Sequence, residues 1–229
     1  MKVSLLNVAE ARYMTSDGNT EDYEYTVKQA AAICVDKLHN VTDNGMMTAL
    51  NSGHLSILEH LPLTFLIEDV SRALTHQLVR HRIASYSQMS QRYAKVKIGD
   101  RWFVIPESFD KAGLVGRYIH LMNEVADFYQ EACEVKDEHG NRIIPNEDAR
   151  FVLPNACFTS IIVTMNARAF VEAGQKRICN KAQWEIRAMF REMRNLIKDI
   201  YPTVYSMTKP NCQKNGCTEV KSCGNPYKG

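Results

Sequence analysis

The sequence predicts an α+β fold in a single domain, with helices and strands in separate blocks, and three observations carry that prediction. Thr159 to Met165 (TSIIVTM) is dense in β-branched residues, the composition of a central strand. Leu61 to Glu68 (LPLTFLIE) alternates, with Leu63, Phe65 and Ile67 on one face, as a half-buried strand does. Leu114 to Glu134 repeats apolar residues at Leu114, Tyr118, Leu121, Val125, Phe128 and Ala132, the pattern of an amphipathic helix. With no internal repeat or low-complexity run, the mixture suits helices packed on a sheet, and 229 residues can bury one substantial core.

The remaining elements follow in order. Lys2 to Val8 is a candidate strand, and Tyr25 to Leu38 and Asp43 to Asn51 read as helices. Ser71 to Arg82 reads as a helix with Ala73, Leu74, Leu78 and Val79 on an apolar stripe and Arg72, His76 and Arg80 at four-residue spacing on another face. Ile83 to Tyr93, a run of small hydroxyls and amides, reads as an irregular loop, and Asp100 to Gly113 as a connection. Asn146 is placed to cap a short helix, with Glu147 and Asp148 in its first turn and Pro154 beyond its end. Lys181 to Ile200 is helical, carrying Trp184, Met189, Met193, Ile197 and Ile200, and Pro202 stops it. A catalytic domain over 1–201 and a tail over 202–229 are expected.

Charge and cysteine content narrow the function classes. A net charge of +2 provides no field for indiscriminate nucleic-acid binding, so individual arginines matter by position. The N-terminal MKVSLLNVAEARY turns polar too soon for a secretory signal, no apolar run approaches a membrane span, and a cytoplasmic location is expected. The seven cysteines then read as reduced thiols or metal ligands. Cys34, Cys133 and Cys157 sit in apolar contexts and are expected in the core. Cys212, Cys217 and Cys223 lie in a segment without apolar periodicity (NCQKNGCTEVKSCG), where zinc with Cys179 as a fourth ligand and solvated, oxidisable thiols both stay open.

Arg80-His81-Arg82, with Ser90 and Arg92 close behind, packs three fixed cations and a switchable imidazole into thirteen residues. Arginine forks bind phosphate or carboxylate through paired hydrogen bonds, so this stretch points to an anionic, phosphorylated ligand. The alternative is a solvated helix end whose basic groups complement the dipole.

The same stretch, RHRIASYSQMSQRY, resembles the signature of the flavin-dependent thymidylate synthases. Four further blocks are similar to that family in order and spacing: GHLSILEH (Gly53 to His60), ARFVLP (Ala149 to Pro154), Asn166-Ala167-Arg168, and AQWEIR (Ala182 to Arg187) with Arg177 before it. The resemblance implies a curved mixed or antiparallel sheet flanked by helices, a homotetramer with shared active sites, and reductive methylation of dUMP to dTMP using 5,10-methylenetetrahydrofolate, FAD and NADPH. It implies that Arg177 polarises the uracil ring, and that Gln77, Leu78, Val79, Arg80, Gln88, Met89, Ser90, Gln91, Arg92 and Arg150 contact dUMP, Arg92 and Arg150 at its phosphate. It further implies that Ser56, Glu59, Arg80, His81, Arg82, Gln88, Asn166, Ala167, Arg168 and Glu172 hold FAD, with His54 near flavin or folate. Glu172 departs from the family, which more often has His or Asn there. The rival readings are another flavoprotein uracil methyltransferase and a non-catalytic nucleotide-binding module.

Overall fold

The structure is a computed structural model describing residues 1–7, 22–213 and 216–227. Four strands, β1 (Lys2–Leu5), β2 (Pro62–Ser71), β3 (Ser85–Gln88) and β4 (Phe158–Asn166), form one antiparallel sheet in the order β1-β2-β4-β3. The helices are α1 (Tyr25–Ile33), α2 (Asp43–Asn51), α3 (Arg72–Leu78), α4 (Glu107–Lys111), α5 (Val115–Glu134), α6 (Asn146–Ala149), α7 (Ala167–Arg177), α8 (Trp184–Leu196) and α9 (Pro202–Met207). Short 3-10 turns at Leu55–His60 and Arg150–Val152 complete the frame of the site.

The predicted strands form because their alternation delivers one face to the core. Leu63, Phe65 and Ile67 of β2 and Ile161, Val163 and Met165 of β4 are buried on the face covered by α7 and α8. Phe65 stacks on Phe170, and Phe170 on Phe190, with ring centroids 5.7 and 6.2 Å apart. The other face carries Leu66, Ile162 and a hydroxyl pair, Thr64 with Thr164, at 3.0 Å. A register shift between Ile67 and Val70, with Asp69 in the left-handed region at φ 55°, bends the end of β2 toward α3. A second, smaller core gathers Trp102, Phe103, Met122, Tyr129, Cys133 and Cys157.

Several expectations are corrected by tertiary contacts. The strand expected over Lys2 to Val8 runs Lys2–Leu5, Val8 lying outside the described residues. Helix α1 ends at Ile33 and not Leu38: the chain leaves through turns with Asp36 at φ 56°, and Cys34, expected in the core, is exposed. Strand β2 runs on to Ser71, whose hydroxyl caps α3 by accepting from Leu74 N at 3.0 Å, and α3 stops at Leu78, so Arg80, His81 and Arg82 follow the helix. The expected loop over Ile83 to Tyr93 contains β3, because Tyr86 and Gln88 turn inward while Ser85 and Ser87 face out. The connection over Asp100 to Gly113 contains α4 and the buried Trp102 and Phe103.

Helix α5 buries only part of its expected face. Ala132 is buried and Tyr118 and Val125 pack on the second core, beside the buried Met122, Ala126, Tyr129 and Cys133, whereas Leu114, Leu121 and Phe128 are exposed. Pro145, not Asn146, is the N-cap of α6, since the Asn146 side chain accepts from Arg142 instead. Trp184 is 44% exposed although Met189, Met193 and Ile197 of the same predicted stripe are buried. Past Tyr201 the chain remains folded: α9 buries Val204 in the main core, and the buried Glu24 carboxylate accepts from the N–H groups of Thr203 and Val204 at 2.9 and 3.3 Å.

Candidate active site

The site is built where α7 ends against the turn that follows α3. Arg177, the last residue of α7, is partly buried and donates through Nε to His81 Nε2 at 3.0 Å, through Nη1 to Gln77 Oε1 at 3.3 Å and through Nη2 to the Gln77 carbonyl at 3.4 Å. Among the described residues three of the five N–H groups of the guanidinium are thus engaged, leaving two for a ligand. Burial pushes its pKa down from the usual arginine value. His81 accepts because it is neutral: burial first, then the neighbouring Arg177 and Lys176 charges, lower its pKa to about 4. The imidazole that looked switchable near neutrality is therefore a fixed acceptor. Tyr86 holds this turn from β3, its hydroxyl donating to the carbonyls of His81 and Leu78 at 2.7 and 2.9 Å, and burial pushes its pKa up to about 12.

Beside this group, Arg80 and Arg82 are exposed, and neither guanidinium makes an ion pair among the described residues. Leu78 is fully buried and presents only backbone, whereas Val79 is 39% exposed. Gln88 is turned into the sheet, its Nε2 donating to Thr75 Oγ1 at 2.9 Å and to Thr159 Oγ1 at 3.3 Å. Met89 pairs its N–H with the Ser160 carbonyl at 3.0 Å and accepts on its own carbonyl from Arg72. Gln91 is buried against Cys157, at 3.2 Å from its sulfur.

The next turn brings the two expected phosphate arginines together. Ser90 Oγ accepts from the Arg92 N–H at 3.3 Å, Arg92 Nε donates to Glu147 Oε2 at 2.9 Å, and Arg150 Nε donates to the Glu147 carbonyl at 3.0 Å. Glu147, in the first turn of α6, thus meets both arginines. Sequence reasoning missed it as a site residue, because its position in a helix start already explained it.

The expected cofactor residues are divided: Arg80, His81, Arg82 and Gln88 lie with the Arg177 group, whereas Glu59, Asn166, Ala167, Arg168 and Glu172 lie at the opposite end of α7. Asn166 ends β4 and caps α7, its Oδ1 accepting from Ala169 N at 2.8 Å, while the buried Ala167 donates to the Leu61 carbonyl at 2.8 Å. Arg168 is held by Glu59 at 2.7 Å and by Glu172 at 3.0 Å, which raises its pKa through hydrogen bonds to Glu172 and then Glu59. Glu172 therefore has a partner inside the chain, at the position where it departs from the family. Ser56 and His54 line a cleft of 560 Å³ between α1, α2 and the 3-10 turn, with Lys28 and Lys37. Arg168 and Arg177 stand nine residues apart, which on a helix is about two and a half turns and roughly 14 Å of rise. The two groups therefore lie on opposite faces of α7.

Among the described residues no helix is long and apolar enough to cross a membrane. Residues 18–203 match the family described as thymidylate synthase complementing protein. The chain is 43% identical over 219 residues to a flavin-dependent thymidylate synthase from Geobacter sulfurreducens, covering 90% of this chain and 91% of that one. It is 43% identical over 180 residues to the flavin-dependent thymidylate synthase of Nitratidesulfovibrio vulgaris, covering 76% and 73% respectively. A flavin-dependent thymidylate synthase from Pyrococcus furiosus is 42% identical over 188 residues, covering 79% of this chain and 74% of the relative.

Proposed function

The chain belongs to the thymidylate synthase complementing protein family, and we propose from that premise that it is a flavin-dependent thymidylate synthase converting dUMP to dTMP. In this reading 5,10-methylenetetrahydrofolate supplies the carbon and leaves as tetrahydrofolate, and NADPH is the reductant. FAD, when bound, supplies the electron transfer that protein side chains lack. The donor set fits a dinucleotide carrying two phosphates: Arg80 and Arg82 are exposed cations without an ion pair among the described residues, and Asn166 and Arg168 offer further polar contacts.

Arg177 does the electronic work on the substrate. Uracil C5 must become electron-rich before it accepts a carbon, and a guanidinium facing N3 and its neighbouring carbonyl stabilises the charge that builds there, as an oxyanion site does. His81 and Gln77 hold that guanidinium in place without supplying competing charge, because His81 stays neutral and Gln77 offers only carbonyl oxygens. Arg92 and Arg150, with Ser90 alongside, receive the phosphate, and the exposed Glu147 carboxylate competes for Arg92 until substrate arrives.

We propose also that the active sites are shared within a homotetramer. Support comes from the placement of the two residue groups on opposite faces of α7, from the open sheet face carrying Leu66 and the 37% exposed Ile162, and from the exposed Leu121 and Phe128 of α5 with Leu114 just before it.

The observation that carries the function is Arg177, held by His81 and Gln77 with, among the described residues, two N–H groups in reserve beside Arg80 and Arg82 that make no ion pair. Purified protein should be yellow with flavin absorbance and should form dTMP from dUMP, methylenetetrahydrofolate and NADPH. Colourless protein that binds added FAD no better than a control protein, and makes no dTMP, would overturn the reading.

A further inference from the structure

The tail returns to the body of the protein in a way that its apolar content does not explain. After α9, residues 216–227 have no helix or strand, and Val220 is fully exposed. Such a segment buries too little apolar surface to offset the entropy of ordering it. Yet it is tied to the loop after α7 by polar contacts: Lys181 Nζ donates to the Lys221 carbonyl at 2.7 Å, Lys181 pairs with Glu219 at 3.6 Å, and Asn180 Nδ2 donates to the Asn225 carbonyl. Gly216 and Gly224, at φ 88° and 67°, make the turns that a side chain would resist.

This return brings four thiols together. Cys179 from the body and Cys212, Cys217 and Cys223 from the tail line one cavity of 170 Å³, although Cys179 and Cys212 are separated by two helices. The cavity's wall carries Lys181 paired with Glu219, and a second cation stands behind it: Arg191 of α8 bonds Asn180 Oδ1 at 2.7 Å and lies 4.2 Å from the ring centroid of Tyr227, two further wall residues. Arg191 also carries a buried Nε–H without an acceptor among the described residues. A sulfur bearing negative charge would satisfy such a donor.

We propose that Cys179, Cys212, Cys217 and Cys223 bind a structural zinc ion that fastens the tail to the loop after α7. Four thiolates give zinc its preferred closed tetrahedral set, and the resulting dianionic centre would face Arg191, whose buried Nε–H has no acceptor among the described residues. Binding releases the four thiol protons, so affinity falls as pH is lowered. Among the described residues no three ligands yet stand at coordinating positions around one point. The irregular tail must therefore close a little further onto Cys179, a movement its lack of regular backbone hydrogen bonding permits. The site lies outside the nucleotide-binding groups, and the inference is independent of the proposed function.

The test uses the full chain purified under reductant without chelator, with zinc measured by plasma mass spectrometry. About one zinc per chain is expected. Cobalt added to metal-free protein should give the visible and charge-transfer absorption of a four-thiolate tetrahedral site. Cys212→Ser and Cys223→Ser should each lower zinc at least tenfold while thermal melting shows the core still folded, and Cys34→Ser, at an exposed thiol elsewhere, should leave it unchanged. Zinc below about a tenth of an equivalent, equal loss in Cys34→Ser, or a mass showing these cysteines joined as disulfides would overturn the site.

Discussion

At the scale of single residues, the site rests on pairs whose members set each other's state. Arg177→Ala should abolish dTMP formation while leaving flavin absorbance, because it removes charge stabilisation at the pyrimidine and not the cofactor's contacts. Arg177→Lys should rescue little, an ammonium being unable to make the planar two-point contact. Near-normal turnover in either variant would refute the role. Arg92→Ala should weaken dUMP binding by on the order of 2 kcal/mol, about thirtyfold, and narrow the preference for dUMP over deoxyuridine, since mutation and missing phosphate delete the same contact. Glu147→Gln should act oppositely. It removes the exposed carboxylate that occupies Arg92, a pair worth no more than about 1 kcal/mol, so dUMP affinity should rise a few-fold. A loss of affinity in Glu147→Gln would show instead that the carboxylate positions the arginine.

At the scale of elements, α9 is the join between body and tail, and two of its contacts are open to test. Gly174 of α7 faces Thr208 so closely that an added methyl would overlap Thr208 Cγ2. Gly174→Ala should therefore destabilise the fold by about 1 to 3 kcal/mol in urea melts. Thr208→Ser, which removes that methyl, should restore most of the loss, and an additive double variant would contradict the overlap. The other contact is Glu24, whose buried carboxylate accepts from the first turn of α9. Burial outweighs these bonds and raises its pKa above 4.5. Because the folded pKa is the higher one, the stability it contributes is fully present below the unfolded value and is lost as pH rises through the folded value. Glu24→Gln, neutral throughout, should flatten that part of the stability curve, read from urea midpoints taken across mildly acidic to neutral pH. An unchanged slope would mean that Glu24 titrates normally.

At the scale of the whole molecule, the opposite placement of Arg168 and Arg177 on α7 makes a direct prediction. If one active site takes the α7 start from one subunit and the α7 end from another, Arg168→Ala and Arg177→Ala proteins, each inactive alone, should regain dTMP synthesis when subunits are exchanged by mixing under mild denaturant. Mixtures that exchange subunits and stay inactive would place each site within one chain.

What the sequence determined by itself was local or linear. The alternation in Leu63, Phe65 and Ile67 and the β-branched run from Thr159 were enough for the two central strands, because each residue's face follows from its position alone. The motif around Arg80 to Arg92 was legible for the same reason, being contiguous. What the tertiary structure decided was every choice between two locally equal options. Helix α5 offers two apolar stripes, and only its neighbours selected Met122, Ala126 and Tyr129 over Leu121 and Phe128. His81 became a neutral acceptor and not a switch because burial and Arg177 outweigh its intrinsic basicity. Glu147 met Arg92, and Cys179 met the tail thiols, through contacts between residues far apart in sequence. Such partners leave no trace in spacing, because distance along the chain carries no information about distance in space once the chain has folded back on itself.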